Sequence, residues 1–332
     1  MKFGVIGSGS WGTALVKILQ DKHQEVIWCV RSEKMMDHIR SRHHNPKYLS
    51  SIYFSNEQLE VTTDPAKVYA HADAVVLAVP SAFVLSYIQD HISLIIERSV
   101  KIISAVKGIL PDSNVLLNDY MTHSLGFDPK FYFTIMGPCH AEEVAAEKLS
   151  YLTFAGNDIQ EAEKIATCFK TPYINTISSN DLIGVQYAAV LKNIYALGTG
   201  IAHGLGYGDN FQSVLVANAA GEMKRFLNAI REGIGQSIDH ASSVYLGDLL
   251  VTCYSLFSRN RSFGNMIGKG YSVEAARLAM QMVAEGLPAA KCIHTINVKA
   301  KAEMPIADTI YKILWEGEDA ELAFSKLEPG LN

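Results

Sequence analysis

The chain opens with an apolar run, Phe3-Gly-Val-Ile6, that leads straight into Gly7-Ser-Gly-Ser-Trp-Gly12. Three glycines at G-x-G-x-x-G spacing, after a strand and before a helix, constrain the fold more than any other feature of the sequence. Gly7 permits a tight turn. Gly9 lets a pyrophosphate approach the backbone, and Gly12 lets the helix pack close to the strand. The helix start offers N–H groups and the positive end of its dipole to an anion. A glycine pattern alone is weak evidence, but this one sits in the strand-turn-helix context that a dinucleotide site needs.

The next 170 or so residues alternate β-rich runs with helical patterns. Strands are expected at Phe3–Ile6, Glu25–Val30, Asp73–Val79, Val100–Val106, Phe131–Ile135 and Tyr151–Phe154. Several are almost wholly apolar, as strands buried on both faces are. Helices are expected at Trp11–Leu19, where Ala14, Leu15, Ile18 and Leu19 share a face, and at Ala82–Glu97 and Asn114–Met121. This alternation predicts an α/β fold, a Rossmann-type doubly wound parallel sheet with right-handed crossovers. After Thr176 the pattern turns helical, with a start at Asn180-Asp181 and a long helix to about Ile201. The expected division is 1–178, dinucleotide-binding, and 179–332, an all-helical domain carrying substrate and catalysis. A cleft between two such domains is the natural ligand site.

A length of 332 residues suits two domains. The net charge of −5 gives no reason to expect nucleic acid or a membrane surface as partner. Cys29, Cys139, Cys168, Cys253 and Cys292 are scattered and form no C-x-x-C pair, which fits free thiols in a reducing compartment and no zinc site. His43-His44 lacks the spacing of a metal set. No leader is expected before Phe3, and no run reaches the roughly 18 apolar residues of a spanning helix. The cytoplasm is the expected location.

Several residues stand where chemistry is done. Arg31 follows the second strand, where NAD-selective sites place an acid for the ribose hydroxyl; an Arg there suits a 2′-phosphate, and Glu33 keeps NADH open. Lys107 follows the strand Val100–Val106 and would point into the ligand crevice, or be an ordinary loop residue. Met136-Gly-Pro-Cys-His-Ala141 is a second strand-to-helix turn; its adjacent Cys139 and His140 are poorly placed for a nucleophile pair. Lys192 is the lone charge between Ala188 and Ile201. Such a Lys either lays its stem along apolar surface or is desolvated for proton transfer. Asn193 could orient a substrate or bond an adjacent turn. Asp248 and Thr252 share a helix face, and Asp248 either pairs with Lys192 or caps the helix after Gly247. Ser258-Arg-Asn-Arg261 offers guanidinium forks for phosphate oxygens, or a solvated basic turn.

These blocks, with Leu191-Lys-Asn-Ile-Tyr-Ala196, Gly204-Leu-Gly-Tyr-Gly-Asp-Asn210 and Gly247-Asp-Leu-Leu-Val-Thr-Cys253, closely resemble NAD(P)-dependent glycerol-3-phosphate dehydrogenases of the bacterial biosynthetic kind along the whole chain. The resemblance implies reversible reduction of dihydroxyacetone phosphate to sn-glycerol 3-phosphate with NADPH or NADH, feeding phospholipid synthesis. It implies cofactor contacts at Ser10, Trp11, Arg31, Lys107, Ala141, Arg259, Val283 and Glu285. It implies substrate contacts at Lys107, Gly137, Cys139, Lys192, Asp248, Thr252, Ser258, Arg259 and Asn260, with Lys192 as proton donor and acceptor. It also implies a homodimer. Cys139 stands where the family usually has Ser, and Tyr245-Leu246 replaces a usual Gly-Leu. The rival readings are another two-domain reductase, of the 3-hydroxyacid or 6-phosphogluconate type, and a nucleotide-binding protein without turnover.

Overall fold

The computed structural model describes residues 1–230, 239–280 and 284–332. The chain divides into two compact units. One comprises Met1–Val106 and Leu116–Ile183, the other Lys107–Val115 and Gly184–Asn332.

The first unit is an eight-stranded sheet of β1 (Phe3–Ile6), β2 (Val26–Cys29), β3 (Leu59–Thr62), β4 (Ala74–Leu77), β5 (Lys101–Ser104), β6 (Tyr132–Met136), β7 (Ser150–Gly156) and β8 (Ile174–Ser179). The spatial order is 3-2-1-4-5-6-7-8, and its first six strands have the doubly wound order of dinucleotide-binding sheets. In register, Phe3 lies between Val26 and Ala74. Every residue of β1, β2, β4 and β6 is buried, which is why these segments read as apolar runs rather than alternating ones. One seam departs from the expected parallel sheet: β7 runs antiparallel to β6 and parallel to β8. The sheet carries α1 (Ser10–Asp21), α2 (Glu33–Arg42), α3 (Pro65–His71), α4 (Ile92–Glu97), α5 (Leu117–Leu125), α6 (Ala141–Ala145) and α7 (Ile159–Thr167). Ser32, Asp64 and Asp158 cap α2, α3 and α7 by accepting backbone N–H groups of their first turns. The core is aromatic at its centre, with Trp28 edge-on to Phe54 and Phe169 packed on Phe3 and Phe154.

Two expected elements need correction. The helix expected over Ala82–Glu97 is two 3₁₀ segments, Ser81–Tyr87 and Gln89–His91, followed by α4. Val84, Ile88 and Ile95 are buried as the periodicity requires, but periodicity reports a buried face and not whether the turn closes at i+3 or i+4. The helix expected at Asn114–Met121 starts later, at Leu117, because Leu110–Val115 is folded as a small antiparallel bridge.

The second unit is helical: α8 (Leu182–Gly204, whose first two residues belong to the first unit), α9 (Asp209–Ala229), α10 (Asp248–Tyr254), α11 (Arg259–Gly268), α12 (Val273–Ala279), α13 (Gly286–Ala300), α14 (Pro305–Tyr311) and α15 (Ala320–Leu327). Every residue from Ala188 to Ala202 is buried, so the middle of α8 is a core helix. Glycines let its neighbour come close. A Cβ on Gly200 would stand 2.1 Å from the Arg261 carbonyl oxygen, and one on Gly264 would stand 2.1 Å from that of Leu197. The backbones of α8 and α11 therefore touch where side chains normally separate helices. Among the described residues no helix is long and apolar enough to cross a membrane.

Candidate active site

In the first unit the three glycines of the opening motif have different reasons to be there. Gly7 has φ +126°, and a Cβ on it would lie 2.3 Å from the Ala78 carbonyl oxygen. A Cβ on Gly12 would lie 2.2 Å from the Gly7 carbonyl oxygen. Both glycines are demanded by the fold itself. A Cβ on Gly9 would meet nothing within 4 Å, and Gly9 has ordinary extended dihedrals, φ −76° and ψ −179°. The fold gives no reason for that glycine; a ligand brought against the backbone does. The turn leaves β1 beside β4, where the strand order reverses, and Gly9 is the N-cap of α1. Ser10 and Trp11 open the helix, Ser10 buried and Trp11 half-buried. These residues fit a dinucleotide pyrophosphate at a helix N-terminus.

Arg31 follows β2 with its side chain exposed, and its backbone N–H donates to Ser8 Oγ at 3.4 Å. That is the end of the second strand, where the adenosine ribose of a dinucleotide is read. The second glycine turn follows β6. Gly137 has φ +122°, and a Cβ there would lie 2.7 Å from the Tyr151 carbonyl oxygen. Cys139 is buried, His140 occupies the N-cap of α6, and Ala141 is the helix's first residue.

In the second unit the charges converge. Lys192 Nζ donates to Asp248 Oδ1 at 2.5 Å, with side-chain exposures of 5% and 2%. Of the two readings of Asp248, ion pair or helix cap, the pair is realised: no side chain caps α10, and Asp248 is its first residue. A π-helical turn, Ser243–Gly247, containing the unusual Tyr245-Leu246, runs directly into it. The other carboxylate oxygen, Asp248 Oδ2, is buried without a hydrogen-bond partner among the described residues. Desolvating two charges costs several kcal/mol each before their attraction is counted. A buried pair with an unsatisfied oxygen is a poor device for stability and a good one for holding an ammonium at a reacting atom.

Asn193, next to Lys192 on α8, belongs to an amide bracket. Asn260 Nδ2 donates to Asn193 Oδ1 at 2.9 Å, and Asn260 Oδ1 accepts the Gly286 N–H at 2.9 Å. Asn193 Nδ2 donates to the Lys107 carbonyl oxygen at 3.3 Å. The bracket ties α8, α11, the start of α13 and the Lys107 backbone together, so Asn193 bonds an adjacent turn. Asn260 spends its oxygen and one N–H on the protein. Thr252 Oγ1 donates to the Asp248 carbonyl oxygen at 2.6 Å, and Ser258 Oγ accepts the Arg261 N–H as N-cap of α11. Arg259 is the first residue of that helix, and Glu285 is the N-cap of α13. Val283 lies outside the described residues. The structure thus joins Lys192, Asp248 and Thr252 in one set of bonds, and Asn193, Asn260 and the Lys107 backbone in another. Trp28, Thr13 and Asn45, which shape the Gly7 turn, carry no sequence signal of their own: a Trp in an apolar strand reads as core, and Asn45-Pro46 reads as a loop.

Comparison with known proteins agrees with this geometry. Residues 2–162 match the family model described as the N-terminus of NAD-dependent glycerol-3-phosphate dehydrogenase, and residues 181–325 match that of its C-terminus. Glycerol-3-phosphate dehydrogenase [NAD(P)+] of Bacillus velezensis is 34% identical, covering 98% of this chain and 93% of that protein. The protein of the same name from Enterococcus faecalis is 32% identical, covering 98% and 95%. The crystal structure of a glycerol-3-phosphate dehydrogenase from Coxiella burnetii superposes with a TM-score of 0.89 at 29% identity, covering 98% of both chains.

Proposed function

The chain belongs to the NAD-dependent glycerol-3-phosphate dehydrogenase family, and from that premise we propose that it reduces dihydroxyacetone phosphate to sn-glycerol 3-phosphate, reversibly, with NADPH or NADH, and feeds glycerophospholipid synthesis. The observation that carries the reading is the buried Lys192–Asp248 pair with its unsatisfied oxygen. The cofactor, when bound, supplies the hydride to the ketone carbon. Lys192 gives a proton from Nζ to the ketone oxygen as negative charge develops there, and takes it back in the reverse direction. Asp248 holds that ammonium in place, while Oδ2 is left to accept a substrate hydroxyl. Lys107 adds positive potential at the same oxygen. Arg259, at the start of α11, holds the phosphate with Asn260, so that binding energy remote from the carbonyl fixes the reacting geometry. Ser10, Trp11, Ala141 and Glu285 flank the cofactor, Arg31 can pair with a 2′-phosphate while Glu33 leaves NADH open, and Gly137, Cys139 and Ser258 line the substrate.

The same reading places the protein in the cytoplasm as a homodimer without nucleic-acid partners. Five free cysteines suit a reducing compartment and a net charge of −5 suits no polyanion. Sedimentation equilibrium tests the dimer. The activity is tested by NADPH and NADH oxidation with dihydroxyacetone phosphate beside unphosphorylated dihydroxyacetone. Turnover that requires the phosphate supports the reading. Turnover only with a 3-hydroxyacid, its keto form or 6-phosphogluconate transfers it to the other reductases, and cofactor binding without turnover makes the chain a nucleotide-binding protein.

A further inference from the structure

We infer that Asn45, outside every motif of the sequence, is the positioning residue that holds the Gly7–Gly9 turn in its anion-receiving form. This rests on the reading that the turn takes the cofactor pyrophosphate. A backbone turn binds an anion only if its N–H groups face the ligand and its carbonyl oxygens, which repel it, are held away. Here each of three successive carbonyls has a donor. The Gly7 oxygen accepts the buried indole N–H of Trp28 at 2.9 Å. The Gly9 oxygen accepts both the N–H and the hydroxyl of Thr13, each at 2.9 Å. The middle carbonyl, that of Ser8, accepts from Asn45 Nδ2 at 3.1 Å.

The same Nδ2 donates to Thr13 Oγ1 at 2.8 Å, so one amide group holds two points of the turn. Its oxygen accepts the N–H groups of Lys47 and Tyr48 at 3.0 and 3.2 Å, an Asx-type closure that fixes the loop. Asn45 is 0% exposed, and all four of its side-chain hydrogen-bonding positions are filled. The loop is anchored in turn through His44, whose Nδ1 lies 3.2 Å from the Asn45 carbonyl oxygen and whose Nε2 lies 3.3 Å from His38 Nε2 on α2. A buried, saturated amide reaching 37 residues back to one carbonyl is a means of orienting that carbonyl.

The test is NADPH affinity in the binary mixture, read by quenching of protein fluorescence, for the parent chain, Asn45→Asp and Gly9→Ala. Asp keeps the acceptor that closes the loop and presents an oxygen where Ser8 and Thr13 need a donor. Gly9→Ala adds a methyl group to open space on the ligand side. We expect Asn45→Asp to raise the cofactor Kd about tenfold or more, with kcat at saturating cofactor and KM for dihydroxyacetone phosphate within about twofold. A general loss of structure would lower kcat as well. Thr13→Val, which removes the shared hydroxyl and keeps the shape, is expected to raise Kd in the same direction and serves if Asn45→Asp does not fold. A raised Kd in Gly9→Ala with a parental Kd in Asn45→Asp, or in Thr13→Val where it stands in, overturns the role of Asn45 alone. A parental Kd in Gly9→Ala removes the pyrophosphate from this turn, and the inference falls with that reading.

Discussion

Each unit buries a lysine against a carboxylate, and the two arrangements differ in completeness. In the first, Lys17 on α1 donates to Asp21 at 2.5 Å, to Glu147 at 2.9 Å and to the Tyr173 hydroxyl at 3.1 Å, while Tyr173 donates to Asp21. Burial pulls the Lys17 ammonium down, but its three hydrogen bonds outweigh this and hold it above the ordinary lysine value. Its carboxylates reach water, with side-chain exposures of 36% and 63%. In the second unit Lys192 meets, among the described residues, one carboxylate, at 2% exposure, and one oxygen of that carboxylate has no partner among them. The first network is closed: it staples α1 to the chain after α6 and to the start of β8. The second is open to one more polar group. A charge left incomplete in a dry place, rather than burial or pairing as such, marks chemistry.

Replacing each lysine tests that contrast most severely. Lys192→Ala should lower kcat by roughly 10³-fold or more with cofactor Kd unchanged. Near-parental turnover would break the comparison at its centre. A third buried charge sharpens it. Glu222 on α9 is 0% exposed and has no lysine partner among the described residues; its two oxygens accept the N–H groups of Ile306 and Ala307 at 2.8 and 2.9 Å, anchoring the start of α14. Burial pushes its carboxyl from 4.5 up to about 7 against the pull of those hydrogen bonds. Because the folded value is raised, the stability it contributes is complete below about pH 4.5 and lost as pH rises through about 7. Urea unfolding across that window should show a loss on the order of 3 kcal/mol that Glu222→Gln flattens; an unchanged slope would take Glu222 out of the titration. Lys17→Met should cost about 1–2 kcal/mol in the same melts and leave kcat within about twofold. A large kcat loss there would erase the distinction between closed and open networks. Smallest is Arg259→Ala, expected to raise KM for dihydroxyacetone phosphate about tenfold while kcat changes by less than about threefold. Equal loss for the unphosphorylated ketone would detach Arg259 from the phosphate.

How much of this can be read from residues alone depends on how local the cause is. β1 and α8 declare themselves, because an apolar run and a lone Lys in an apolar helix are each confined to a few consecutive positions. The glycine turn is legible for the same reason, including the separate duties of Gly7, Gly9 and Gly12. β3 and β8 escape notice: Leu-Glu-Val-Thr is short, and Ile174–Ser179 is polar and half-exposed at a sheet edge. The reversal of β7 leaves no trace in composition, since a buried strand looks alike in either direction. At the site, the Lys192–Asp248 pair spans 56 positions, so the residues nominate it as one of two options for Asp248 and only folding selects it. The amide bracket of Asn193 and Asn260 and the hold of Asn45 on Ser8 are non-local and involve residue types common in loops.

Residues Lys107–Val115 belong with the helical unit although they interrupt the other in sequence. Asn193 uses a carbonyl from this insert, at Lys107. A gene cut near residue 184 to make a separate catalytic fragment would therefore lack a piece of its own interior, and the missing nine residues would hang as an unpartnered loop on the other product. Any split-protein or domain-transplant design has to carry that segment to the helical side, as a linker or a supplied peptide. Contiguous stretches of gene and the two compact units of this molecule are different partitions of the same chain.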